Sequence, residues 1–355
     1  MAAAEAKVTM IGATGSGKTT YLHGMYSVMS AGFKGYSLIT TDLDDDLDMS
    51  DAWTDLCDDG TVPEPGGTDR RLYSFIFRQR GETLLTFDWE DYRGGAMSDR
   101  NKNASATDVG PLQQRMLTSD SIYLVLNGSH LTGATPLDGG GSIRDRTFSG
   151  RMNGLLNHTL HKRTELGTAP PSIVVMVTKA DLIRRANPGA SAAELMEAIC
   201  FSAEALLPAC FEAGLDILVC PVQIGDFGED NADRTKKVDP LKVDPRNLPY
   251  PLVHTFLNFL DARTRGLRGD AAELQQAIDR SAAELEAFSK SWRVLLQPGR
   301  AGTVLATIKR QEENLAGLRA ALQKTDSQVA RLAADLEQAM IENLVAVYED
   351  GDRLG

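Results

Sequence analysis

Cysteine is scarce and unpatterned in this chain. Its 355 residues hold four, Cys57, Cys200, Cys210 and Cys220, with no Cys-x-x-Cys pair and no histidine at metal spacing, which argues against zinc and dithiol redox chemistry. Positive charge is in deficit: 37 Lys and Arg face 49 Asp and Glu, a net charge of −12. That balance repels phosphate backbones and anionic lipid headgroups, so neither nucleic acid nor a membrane surface is expected as a partner. No apolar run approaches membrane-spanning length, and Met1-Ala2-Ala3-Ala4-Glu5 lacks the basic start and apolar stretch of a secretion signal. Ala2 stands where N-myristoylation needs glycine, and Asp350-Gly351-Asp352-Arg353-Leu354-Gly355 offers no prenylation cysteine. A cytoplasmic protein with reduced thiols is the expectation.

What is present is an ordinary globular composition, 42% hydrophobic and 24% charged, in a chain long enough for about two domains. From Lys7 to Arg265 short β-rich runs alternate with amphipathic stretches, the order of a sheet with helices on its faces. Strands are predicted at Lys7–Ile11, Leu72–Phe77, Thr83–Asp88, Ser121–Leu126, Ile173–Thr178 and Ile217–Val222. Helices are predicted at Lys18–Ser30, Pro111–Thr118, Met152–Arg163, Ser191–Cys210 and Leu252–Thr264. The fold class is therefore α/β, doubly wound. Thr40–Arg71, Gly133–Asp145 and Gly225–Pro251 read as long loops; the acidic run Asp42 to Asp48 in the first reads as solvated loop or helix start and is assigned no metal.

After Gly266 the composition turns to Ala, Leu, Glu, Gln and Arg without strand-like runs, which places a boundary between a domain at 1–265 and a C-terminal helical hairpin at 266–355. Leu274, Ile278, Ser281, Leu285, Phe288, Trp292 and Leu295 make one apolar seam. Ile308, Gln311, Leu315, Leu318, Leu322, Thr325, Val329, Leu332, Leu336 and Ala339 make another. Helices over 270–296 and 303–348 would measure about 40 and about 70 Å, leaving an apolar stripe to pack on the first domain, on a second copy or on another protein.

The chemistry concentrates in three motifs. Gly12-Ala13-Thr14-Gly15-Ser16-Gly17-Lys18-Thr19 matches G-x-x-x-x-G-K-[S/T] between a strand and a helix-forming run that continues with Thr20. Its glycines let backbone N–H groups curl around phosphates, Lys18 brings a cation to the β/γ-phosphates, and the Thr19 hydroxyl is a ligand for Mg²⁺. Leu84-Leu85-Thr86-Phe87-Asp88 leads to Asp91-Tyr92-Arg93-Gly94, a D-x-x-G element in which Asp91 can hold Mg²⁺, through water, and the Gly94 N–H can meet a γ-phosphate. Ile173 to Val177 delivers Thr178-Lys179-Ala180-Asp181, a T-K-x-D variant of the N-K-x-D guanine motif. One carboxylate, Asp181, can accept guanine N1–H and N2–H₂ together, and adenine presents no such pair. Lys179 would lay its stem over the base, while Thr178 replaces an asparagine and is expected to lose the tie to the phosphate loop.

Over Lys7 to Arg265 these residues resemble the P-loop GTPases of the translation-factor-related class, which includes the Ras-like small GTPases. The resemblance implies GTP/GDP and Mg²⁺ as cofactors, and switch regions at about 40–71 and 91–104. It also implies a switch threonine closing over Mg²⁺, for which Thr68, 23 residues before Asp91, stands in place and Thr61 is the alternative. The base-flanking loop falls at Cys220 to Gly225, which lacks the usual Ser-Ala pair and offers Gln223 and Ile224. Gly95 replaces the water-orienting glutamine of many small GTPases, so intrinsic hydrolysis is expected to be slow, with Arg93, Arg70, Arg71 or a partner protein as the source of a neutralising arginine. The long switch region and helical extension are similar to bacterial stand-alone GTPases predicted to act in conflict or defence systems.

A GTP-binding switch with slow, partner-stimulated hydrolysis is thus the expected function, an effector or activator meeting the switch loops and C-terminal helices and a homodimer being open. A GTP-sensing scaffold with negligible turnover is the alternative, and an ATP-dependent P-loop enzyme a third reading.

Overall fold

The structure, a computed structural model, describes residues 4–63, 71–91, 105–132, 140–228, 237–290 and 298–354. In chain order its elements are β1 (Ala4–Gly12), α1 (Lys18–Ala31), β2 (Tyr36–Thr40), α2 (Leu43–Asp59), β3 (Arg71–Gln79), β4 (Glu82–Asp91), α3 (Ser105–Thr118), β5 (Ser121–Asn127), α4 (Gly140–Thr147), α5 (Ser149–Glu165) and β6 (Ser172–Thr178). There follow α6 (Ala180–Ala186), α7 (Ala192–Leu206), β7 (Asp216–Pro221), β8 (Gln223–Gly225), β9 (Val243–Arg246), α8 (Tyr250–Ser289), α9 (Pro298–Ile341), β10 (Ala346–Glu349) and β11 (Asp352–Leu354). The chain divides into two compact units, one formed by the residues up to Thr255 with those from Leu336 onward, the other by Phe256–Asp335.

The first unit is α/β. Its nine-stranded sheet has the order β11-β10-β7-β6-β5-β1-β4-β3-β2. The strands β4, β1, β5, β6 and β7 run parallel, while β3 and β2 on one side and β10 and β11 on the other are antiparallel. Parallel strands covered on both faces read as continuous apolar runs, and β5 and β6 are buried along their whole length. Side chains alternate across the sheet. Ile122, Leu124 and Leu126 join a core with Leu112 and Met116 of α3, Met152 and Leu156 of α5 and Ala203 of α7. Tyr123 points the other way, its ring 4.8 Å from that of Trp89 and its hydroxyl 2.9 Å from Thr255 Oγ1 in the first turns of α8. Tyr21 of α1 lies on the same side, 6.2 Å from Trp89.

Several expectations are corrected. The stretch 40–71 is not a loop throughout: α2 occupies much of it, capped by the Asp42 carboxylate, which accepts from the Asp44 N–H. Asp44, Asp45 and Asp46 fill its first turn, where negative charge meets the positive end of the helix dipole. The acidic run is therefore a helix start. The boundary placed at Gly266 is not a break in structure, because α8 continues through it. Nor is 266–355 helical to its end. Asn343 adopts φ 54°, the Leu344 N–H donates to Ala339 O and the Asn343 N–H to Met340 O, a left-handed helix stop. Ala346–Glu349 then pairs antiparallel with β7.

In the second unit the helices run antiparallel. Arg268 donates to Asp326 at 2.8 Å and Arg319 to Gln275 at 3.0 Å, so two turns forward along α8 match two turns back along α9. Ile278, Leu315, Thr325 and Leu332 are buried, in keeping with the two seams. The lengths differ from expectation: α8 has 40 residues and α9 has 44, about 60 and about 66 Å. The two helices are thus of nearly equal length, where a difference of about 30 Å was expected. Leu332 is fully buried, so Leu332→Ala should lower unfolding free energy by about 2–5 kcal/mol. A change below about 0.5 kcal/mol in urea titration, the range of a surface substitution, would contradict that placement.

Candidate functional site

The parallel strands deliver their carboxyl ends to one edge of the sheet, with Gly12 beside Val125, Met10 beside Asp91 and Asn127 beside Thr178. The chain continues from β1 toward β4 on one side and β5 on the other. Such a reversal of strand order opens a crevice at the carboxyl ends, where α/β proteins bind ligands. Residues 13–17 cross this crevice and lead into α1.

Glycine is required at its floor. A Cβ on Gly12 would lie 2.8 Å from Val125 O, while Gly15 and Gly17 take φ 75° and 86°, which L side chains avoid. Lys18 is buried, its Nζ donating to Gly12 O and Ala13 O at 2.9 Å each. A cation is thereby folded back under the loop, at the amino end of a helix whose first N–H groups have no intrahelical acceptor. Ser16 is buried, and among the described residues its Oγ has no hydrogen-bond partner. Ala13 is buried, Thr14 and Gly15 are exposed, and Thr19 and Thr20 in the first turn of α1 are half-buried.

Thr178 ends β6 and reaches this loop. Its hydroxyl donates to Ser16 O at 2.6 Å, across 162 sequence positions, with Leu126 O at 3.2 Å. The expected loss of the tie is thus corrected: a hydroxyl makes the connection. Lys179, at φ 53°, precedes α6 and its Nζ donates to Gly15 O at 3.3 Å. Gly128 was not anticipated, although Asn-Gly after a strand is a turn signal. A Cβ there would lie 2.4 Å from Thr178 O, so β5 and β6 meet there without a side chain between.

Asp181 is buried, only 5% exposed. Burial pushes its carboxyl above the ordinary carboxylate range and nearby Asp226 adds to that, while the Gly228 N–H and Arg184 oppose it. The two residues offered for the base-flanking loop have other engagements. Gln223 accepts from the Arg184 guanidinium through Oε1 and donates from Nε2 to Asp244 O at 2.9 Å. Ile224 packs toward α1, where a Cβ on Gly24 would meet its Cδ1 at 2.7 Å. Gln223 thus fastens α6 to β9, and the half-buried Ile224 packs against α1.

Asp91 closes β4 opposite Met10 of β1 and Arg71 of β3, which brings its backbone to the edge where Gly12 ends β1. Thr68, Arg70, Arg93, Gly94 and Gly95 lie outside the described residues. Thr61, the alternative switch threonine, is exposed and donates through N–H and Oγ1 to Asp59. Among the described residues no group of three or more His, Cys, Asp or Glu gathers for a metal, and no helix is long and apolar enough to cross a membrane.

No protein-family model matches this chain, and no curated protein matches it.

Two outcomes follow from this geometry. Thr178→Val keeps the shape but leaves Ser16 O without its side-chain donor, so stability should fall by about 1–3 kcal/mol, with Thr178→Ser retaining most of it; equal unfolding midpoints for wild type and Thr178→Val would exclude the tie. For Asp181, a folded-state pKa above the unfolded value means that stability is lost as pH rises through that interval. Asp181→Asn should therefore melt higher than wild type at neutral pH, and the difference should vanish below about pH 3.9, the unfolded value. A lower melting temperature for Asp181→Asn at pH 7 would contradict the burial argument.

Proposed function

We propose that this chain is a GTP-binding switch that hydrolyses GTP slowly. The observation that carries the reading is the hydrogen bond from Thr178 to Ser16, which joins the guanine-type motif to the phosphate-type loop. The two motifs are here one structural unit at the strand ends.

The residues fit the group they would hold. A loop floor that excludes a Cβ at Gly12, left-handed glycines at 15 and 17 and a buried Ser16 hydroxyl without a partner among the described residues form a cradle suited to phosphate oxygens. Lys18 would exchange its loop carbonyls for the β/γ-phosphates, and Thr19 with Asp91 through water would hold Mg²⁺, whose charge offsets that of the phosphates. The Asp181 carboxylate would accept the two guanine donors. Burial gives this recognition its selectivity, because adenine would not supply the buried carboxylate with the two adjacent donors that guanine does.

Catalysis by such a site is positioning and neutralisation of charge. With glycine at 95, no side chain there orients water, so the partner expected to set the turnover rate is a protein that supplies the missing group. In the cytoplasm such a protein would cycle slowly between GTP and GDP forms.

Calorimetry should find GTP binding that Lys18→Ala greatly weakens and that ATP does not match, with guanine preference on the order of 10⁴-fold. Turnover of GTP by the isolated protein should lie near or below about 10⁻³ s⁻¹. Equal affinity for ATP would remove Asp181 from its role, and undetectable turnover over days would favour the scaffold reading over the switch.

A further inference from the structure

At the end of β7 a cavity of about 150 Å³ opens between α6, α7 and the turn that stops α9. Ile183 of α6 and Met196 and Ile199 of α7 give it an apolar, buried floor. Met196 and Ile199, three residues apart, share one face of their helix. Asn247 braces the wall, its Nδ2 donating to Pro221 O at 2.9 Å and to Leu344 O at 3.2 Å. The polar side is cationic. The lining holds two arginines, the half-buried Arg184 and the exposed Arg246, and no carboxylate, in a chain whose net charge is −12. Arg246 is neutralised by Asp244 Oδ2 at 2.7 Å on β9, which pairs with β8 as a short ribbon. Arg184 instead donates to the neutral amide of Gln223, whose Nε2 donates in turn to Asp244. Among the described residues no ion pair engages Arg184, so one positive charge at the cavity stands without a bonded carboxylate.

We propose that this cavity is a binding site for a small apolar monocarboxylate, with its hydrocarbon body on Ile183, Met196 and Ile199 and its carboxylate on Arg184. Size sets the body. A cavity of about 150 Å³ lined by apolar side chains admits a benzene-sized molecule, which is a ring or branched chain of about six carbons. Charge sets the head. A carboxylate matches the planar fork of a guanidinium and bonds it more strongly than a neutral amide does. Arg184 carries five N–H donors and gives one to Gln223, so a carboxylate can join without displacing that contact. A neutral or cationic ligand of the same size would gain nothing comparable from Arg184. A ligand charged at both ends would carry one charge onto the aliphatic floor, where burial without a partner is costly. The inference stands independently of the GTP-binding reading.

The test titrates the full chain, its methionine methyl groups labelled with ¹³C, against benzoate, benzamide and benzylamine, which share a ring and differ in charge. The Met196 methyl resonance, identified by its loss in Met196→Leu, should shift saturably with benzoate. Benzamide and benzylamine should bind at least about tenfold more weakly, the loss expected when a hydrogen bond to a charged group is not made. Arg184→Gln should reduce the preference for benzoate over benzamide by on the order of tenfold, while Arg184→Lys should keep part of it. Should Arg184→Gln not fold, the order of the three ligands on wild type decides. Absence of a saturable Met196 shift with benzoate overturns the site. Equal binding of benzoate and benzamide, or a preference that survives Arg184→Gln intact, overturns the monocarboxylate assignment.

Discussion

No side chain fits between β1 and β5 at Gly12, and the geometry at the strand ends depends on that contact. With Val125 O only 2.8 Å from where a Cβ would stand, β1 can end flush against β5 and turn at once into the loop that precedes α1. The same economy recurs one strand over, where Gly128 lets β5 end against Thr178. Two glycines thus set the distance at which the Thr178 hydroxyl finds Ser16 O. The Lys18 side chain, bonded to Gly12 O and Ala13 O, closes the loop from beneath.

Packing around this edge distributes rigidity unevenly. The middle strands β5 and β6 are buried on both faces, so each side chain there removes apolar surface from water and resists displacement. The ribbon β8–β9 is held instead by hydrogen bonds and ion pairs, several of them exposed, such as Lys237 to Asp59 and Arg185 to Asp226. Exposed pairs contribute little stability singly.

Much of the fold was legible in the sequence because periodicity and local signals are strong where burial is complete. The six predicted strands correspond to β1 and β3 to β7, and Lys18–Ser30 to α1, since continuous apolar runs flanked by glycine leave few alternatives. The strands β2, β10 and β11 escaped notice for a different reason. They are short, lie toward the edges and acquire their apolar sides only from a neighbour: Tyr36 and Leu38 are buried while Ile39 is exposed. The α2 helix was hidden by the acidity of its first turn, which is a capping feature rather than a sign of solvated loop.

For the candidate site, the sequence by itself determined the glycine loop, the lysine after it and the order of the three motifs, because those depend on residue type and close spacing. What only the tertiary structure decided is which distant groups meet. The Thr178 hydroxyl at the end of β6 meets Ser16 O at 2.6 Å. Gln223 is taken up by Arg184 and Asp244. Such pairings join residues tens to more than a hundred positions apart. They are set by strand register and by the need of buried polar groups for partners, neither of which is written in local spacing.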